Sequence, residues 1–167
     1  MNTKILILIL IILSGISSNS CSQEKKEKNE TTSKMEKMEK TKQEWKQILT
    51  PMAYFVTREN GTESPFTGKF DKFYEKGTYI CVCCKQPLFE SDKKYDSGCG
   101  WPAFFDVKNN KNIILKKDYT HGMVRTEVRC SKCDAHLGHV FEDGPKPTGL
   151  RFCINSVALD FIPGGGY

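Results

Sequence analysis

Three stretches of alternating side chains, two of them running into a C-x-x-C pair, predict a mainly β domain stapled by four cysteines. Residues 78–82 alternate and run into Cys81 and Cys84. Residues 123–130 alternate, with Val124, Thr126, Val128 and Cys130 on one face, and run into Cys130 and Cys133. Residues 149–156 form the third stretch. Successive side chains of a strand point to opposite faces, so each stretch has one core side and one free side. Two C-x-x-C knuckles at strand ends place four thiolates around one tetrahedral ion, as a closed structural zinc site requires. The alternatives are two disulfides, or a redox motif, which an oxidising compartment would favour; paired C-x-x-C repeats read as a metal site. Residues 85–129, between the knuckles, far exceed the roughly 15 to 20 residues of a simple zinc ribbon. They must carry structure of their own.

The chain has 167 residues, enough for one domain and its flanks, and a net charge of +5 with both signs mixed throughout. No basic stripe interleaved with aromatics is present, so nucleic acid is not an expected partner. Lys4 precedes an unbroken apolar run over residues 5–13. That run is too short to span a bilayer and has the length and flanks of a signal peptide core. Small residues follow and then Cys21, an arrangement that resembles a bacterial lipoprotein signal, with Cys21 as the lipidated first residue of the mature chain. Ser18 stands three positions before it where such signals usually have Leu. Ordinary cleavage to a soluble exported protein is the competing reading. Residues 1–20 thus read as a signal peptide and residues 21–43, nearly all Lys, Glu, Ser, Thr and Gln, are expected to form a disordered charged tether with too little apolar surface to fold. The expected localisation is exported and membrane-anchored in a cell envelope, or soluble periplasmic without the lipid.

Order is expected from Glu44. Trp45, Ile48 and Leu49 have the spacing of a short amphipathic helix, and Pro51 ends it or opens the next turn. Asn60-Gly61 and Ser64-Pro65 mark turns, and Phe66, Phe70 and Phe73 read as core. Gly98-Cys99-Gly100-Trp101-Pro102 is a loop whose two glycines let a thiol swing beside a rigid aromatic wall. A tight turn with a packed Trp reads the same residues without chemistry.

His136 and His139, two of three histidines in the chain, flank Gly138, which frees the backbone to aim both rings alike. Near a thiol they read as a proton-handling pair. His121 reads as a surface turn residue. In the stretch 149–156, Phe152 and Ile154 face the core, while Arg151, Cys153 and Asn155 share the other face. A fixed cation there lowers a thiol pKa. An isolated free Cys is by default a small buried hydrophobe, and the octet alone favours that reading.

Gly98-Cys99-Gly100-Trp101-Pro102, Arg125-Thr126-Glu127-Val128, residues 136–141 and residues 151–156 together resemble the B-type peptide methionine-(R)-sulfoxide reductases, over about residues 44 to 163. The resemblance implies two small antiparallel sheets of β-tent type with short helices at the amino end, so that residues 44–167 form the reductase domain. It implies Cys153 as nucleophile, Cys99 as resolving thiol, His136, His139 and Asn155 as the polar pocket lining, Trp101 as its aromatic wall and Arg151 as the residue beside the nucleophile. Cys81, Cys84, Cys130 and Cys133 match the zinc ligands. Oxidised peptides and proteins are then the substrates and a thioredoxin-like dithiol the reductant, and a monomer is expected. With Cys21 going to lipid and four thiols to zinc, Cys83, Cys99 and Cys153 remain. Cys83 departs from the family's usual pattern and reads as a spare, packed thiol. The rival readings are a zinc-stapled binding module without chemistry and a general thiol-disulfide oxidoreductase.

Overall fold

Thr41 and Glu44 open the folded chain with a reciprocal cap. The Thr41 hydroxyl accepts the Glu44 N–H at 3.3 Å, and the Glu44 carboxylate accepts the Thr41 N–H at 2.7 Å. Two orphan donors are satisfied at once. The structure, a computed structural model, describes residues 36–164; the stretch read as a signal peptide, Cys21, most of the stretch read as a tether and the last three residues lie outside them. Helix α1 (Lys42–Ile48) starts at this cap, two residues ahead of the expected Glu44, and the Met38 N–H already donates to the Lys132 carbonyl at 2.7 Å. The fold therefore takes in the end of the stretch read as tether: a T-x-x-E cap lies hidden in its Lys/Glu composition. Trp45 and Leu49 are buried, as their spacing implies, while Ile48 is exposed. Pro51 begins a second helix, α2 (Pro51–Glu59), capped by the Thr50 hydroxyl and closed by Asn60 in the left-handed region. Pro suits the first helical position because its missing N–H would be unpaired there anyway.

Among the described residues nine strands follow: β1 (Gly77–Cys81), β2 (Pro87–Glu90), β3 (Lys94–Tyr95), β4 (Ala103–Phe104), β5 (Ile113–Asp118), β6 (Arg125–Cys130), β7 (His136–Phe141), β8 (Arg151–Ile154) and β9 (Leu159–Pro163). They form two antiparallel sheets, one ordered β2-β1-β9 and one ordered β3-β4-β8-β7-β6-β5. The expected mainly β, two-sheet architecture is what forms. All three expected strands are present with different ends: β1 has the expected length but lies one residue earlier, leaving Val82 in the turn after it, while β6 and β8 are shorter than read, so that Val124 precedes β6 and is 73% exposed and Asn155 lies one residue past β8.

The sheets meet through aromatic rings. Phe104 of β4 stacks on Phe89 of β2 at 4.3 Å and meets Tyr79 of β1 edge-on at 5.0 Å. All three are fully buried, each worth on the order of 1.5 to 3 kcal/mol of transfer free energy. Phe70 belongs to this core and Phe73 packs against it. Phe66 does not: it is 64% exposed with φ at 64°, because its N–H is tied to the Gly100 carbonyl at 2.7 Å. Among the described residues no helix is long and apolar enough to cross a membrane.

Candidate active site

One knuckle hangs from each sheet. After β1, the Lys85 N–H returns to the Cys81 carbonyl (2.8 Å) and the Cys81 N–H to the Gln86 carbonyl (2.8 Å). After β6, Asp134 and Cys130 repeat the circuit at 2.9 Å, as do Cys130 and Ala135. Lys85 and Asp134 each turn the corner at φ of 61° and 57°. The result is four buried sulfurs, all within 4.8 Å of one another. Cys81 and Cys133 are 3.7 Å apart, Cys84 and Cys130 3.5 Å. A tetrahedron of sulfurs at 2.3 Å from zinc has an edge of about 3.8 Å, so these residues fit such an ion. Cys83 is buried beside them, its sulfur 3.4 Å from the Thr57 hydroxyl.

The other chemistry lies on one face of the six-stranded sheet. The register pairs Ala103 with Cys153, Cys153 with His139, His139 with Glu127, and Glu127 with Lys116. Directly paired residues project to the same side, so nucleophile candidate, imidazole and carboxylate form a row across neighbouring strands. Phe141 and Arg151 form the next rung, as do Arg125 and Asp118.

His136 and His139 are three apart, and in a regular strand they would point to opposite faces. They share a face because the β6–β7 ladder slips between Val128 and Arg129, leaving Leu137 without a partner. Such a bulge restores a common side to residues of odd spacing. Gly138 has a different task from the one read in the sequence. A Cβ there would lie 2.1 Å from the Cys153 carbonyl, so Gly lets the two strands close at the nucleophile.

The two rings sit 5.5 Å apart in different surroundings. His139 bonds through Nε2 to Asp118 at 2.8 Å, and Asp118 also accepts from Arg125 at 2.7 Å and from Thr120. These bonds, Thr120 first, hold the Asp118 carboxyl well below the usual carboxylate range. Ionised, it accepts a hydrogen bond from the His139 Nε2–H and leaves Nδ1 uncommitted. His136 lies deeper, bonded through Nδ1 to Glu127 at 2.6 Å, with Nε2 buried and without a protein partner. Burial pushes its pKa down despite Glu127, so the ring is neutral.

A cavity of about 130 Å³ opens over the row, lined by Thr62, Trp101, Arg125, Gly138, His139, Phe141, Cys153 and Asn155. Of the residues singled out in the sequence, Trp101, His139, Cys153 and Asn155 meet here. Cys99 lies against them, its sulfur 3.6 Å from that of Cys153. His136 does not line this cavity; the bulge sets it behind His139. Arg151 does not line it either. It is clamped to Asp143 by two bonds of 2.8 Å and lies over the Phe141 ring.

Burial changes the expected electrostatics. Arg151 does lower the Cys153 pKa, but burial, followed by the neighbouring Cys99, pushes it up to about 12. Burial also opposes ionisation of Cys99; there the Ser97 hydroxyl at 3.0 Å and the Trp101 backbone outweigh it, and the thiol sits below its ordinary value. Of the two, Cys99 loses its proton first. Gly98 and Gly100, at φ of 70° and 87°, occupy the left-handed region that favours glycine and bring Cys99 back toward β8.

A face of this kind, with two juxtaposed thiols, an imidazole on a carboxylate and an aromatic wall over a small pocket, defines a thiol-based redox enzyme. The sequence model of the SelR domain matches residues 49–163, and the chain belongs to that family. It is 60% identical over 123 residues to peptide methionine sulfoxide reductase MsrB of Pseudomonas syringae, covering 74% of this chain and 94% of that one. The enzymes of the same name from Hahella chejuensis and Acinetobacter baumannii are each 57% identical, over 74% and 71% of this chain and 89% and 86% of theirs.

Proposed function

We propose that the protein reduces methionine-(R)-sulfoxide in peptides and proteins to methionine. The observation that carries this reading is the pair of sulfurs, Cys99 and Cys153, 3.6 Å apart against a cavity with an aromatic wall on one side and hydrogen-bonding groups on the other. A sulfoxide side chain has the matching halves, a methyl group and a polar S–O bond. Trp101 holds the methyl and so sets the epimer. The Asn155 amide gives one N–H to the Leu137 carbonyl at 3.0 Å, and its second N–H is left for the sulfoxide oxygen.

Cys153 Sγ attacks the sulfoxide sulfur. The S–O bond breaks, the oxygen passes to Cys153 as a sulfenic acid with the thiol proton, and the substrate sulfur gains the two electrons that Cys153 loses. His139 moves the proton at Nδ1 while Asp118 keeps the ring oriented. The Cys99 thiol then condenses with the sulfenic acid, forming the Cys99–Cys153 disulfide and releasing water. A thioredoxin-like dithiol reduces that disulfide by exchange and is itself oxidised. The lower pKa of Cys99 suits it to the second attack.

Zinc is the ion proposed for Cys81, Cys84, Cys130 and Cys133. When bound it supplies cohesion between the sheets and no chemistry in the pocket. Export, with lipid attachment through Cys21, is proposed from the residue pattern of the amino end.

The direct experiment gives the protein racemic methionine sulfoxide with a dithiol and follows both epimers by chiral chromatography. Disappearance of the R epimer alone is expected. Turnover of neither, with insulin disulfides reduced instead, would replace this reading with general thiol-disulfide exchange.

A further inference from the structure

Glu63 precedes the domain's first strand and lies in none of the elements that carry the site, yet it is 4% exposed and bonded to both walls of the pocket. Its backbone N–H donates to Asn155 Oδ1 at 3.1 Å. Its backbone carbonyl accepts the Trp101 Nε1–H at 3.2 Å. Its carboxylate accepts the N–H groups of Ser156 and Val157, the two residues directly after Asn155. The surrounding chain tightens the arrangement. The Phe70 N–H donates to the Ser156 hydroxyl at 2.8 Å, and a Cβ on Gly68 would fall 2.4 Å from Ser156 Cβ and 2.9 Å from Glu63 Oε1.

We infer that Glu63 is the positioning residue that fixes Trp101 and Asn155 relative to each other, and so sets which sulfoxide epimer the pocket accepts. This rests on the sulfoxide-reductase reading above. Trp101 is placed to meet the methyl group and Asn155 the oxygen, and these substituents exchange places between the two epimers. Discrimination therefore depends on the spacing of the two walls. Trp101 belongs to the loop before β4, Asn155 to the end of β8, and the Glu63 main chain bridges them. The carboxylate holds that main chain in place by accepting two backbone donors. A glutamine there has one acceptor oxygen and turns its amide protons toward the second donor, so the bridge loosens where no substrate atom is touched.

The test compares the parent, Glu63→Gln, Glu63→Asp and a core truncation on the other sheet, Leu88→Ala, using free R and S sulfoxide epimers with a dithiol, below each variant's melting temperature. Activity of the parent toward R is read first, because its absence would sink the reductase reading itself. With that in hand, Glu63→Gln is expected to lose about tenfold in the ratio of kcat/KM for R over S, as expected for loss of one hydrogen bond to a charged group. Its tryptophan emission is expected to shift. Leu88→Ala, equally or more destabilised, is expected to keep the ratio. Glu63→Asp, which retains an anionic acceptor, is expected to fall between parent and Gln, and decides the question if the Gln variant does not fold. A ratio within twofold of the parent in the folded Glu63 variants, or the same loss in Leu88→Ala, would overturn the inference.

Discussion

Cys153 and His139 stand opposite each other on neighbouring strands, and the slip at Leu137 is what brings His136 to the same side. The reactive face is therefore a property of sheet register as much as of residue identity. Substitutions that keep the register will test roles one at a time.

Removing the attacking sulfur is the sharpest case. Cys153→Ser should bring turnover to background, a drop of roughly 10⁴ or more, as when a covalent nucleophile is removed from an enzyme that depends on it. Cys99→Ser should still yield about one methionine per chain in a single-turnover assay but fail to recycle with a dithiol protein, because exchange requires the second thiol. Normal cycling by that variant would assign the resolving role elsewhere, and Cys83 would be the thiol to examine next.

The two thiols should differ in reactivity before substrate arrives. Cys99 is held below the ordinary thiol value and Cys153 is pushed up to about 12. The thiolate is the species that alkylates. Between pH 7 and 9, iodoacetamide should therefore label Cys99 well ahead of Cys153, as peptide mass spectrometry would read. Preferential labelling of Cys153 would mean that Arg151 outweighs burial after all.

Stability should fall on mild acidification because of His136. Its folded pKa lies below the unfolded value of about 6.5, so the unfolded chain takes the proton first. The stabilising contribution is full above about pH 6.5 and is lost as pH falls, levelling once the folded ring also charges. Denaturant unfolding between pH 5 and 8 should show this slope in the parent and a flatter one in His136→Gln. Equal slopes would place the titration on another group.

The knuckles offer a separate test. Chelation under reducing conditions, or Cys130→Ser, should lower the melting temperature by about 10 °C or more, since the binding energy of a structural ion is folding energy. Elemental analysis should find zinc near one equivalent per chain in the parent and little in the variant. An unchanged melt after full metal removal would mean the four thiols hold the sheets together without an ion.

Much of this was legible in the sequence wherever a short motif carries its own geometry. Two C-x-x-C turns at strand ends found each other across the sheets, and Gly98 and Gly100 do place Cys99 beside Cys153. What was not legible depends on partners distant in the chain. Phe66 is as apolar as Phe70, but its N–H is tied to Gly100 and its ring points to solvent. Arg151 does lower the pKa of the Cys153 thiol, but burial of that thiol, which no local pattern reveals, outweighs it. Asp118, Arg125 and Phe141 line or support the pocket without a local pattern that marks their role; Arg125 and Phe141 lay in motifs that carried family likeness but no role for them. Glu63 has no local signal at all. Its place is set by residues more than ninety positions downstream, and only the folded chain brings them together.

Leu137 sits opposite no residue of β6, so its removal would iron the slip out and leave His136 facing Arg129 and His139 facing Glu127. The cost would be one buried aliphatic side chain. An insertion between Gly138 and His139, with the pairing before it kept, would instead send the His139 ring to the reverse side of the layer, away from Cys153. The length of this strand is thus forgiving at the slip and critical one step beyond it, where the proton-moving group would be lost.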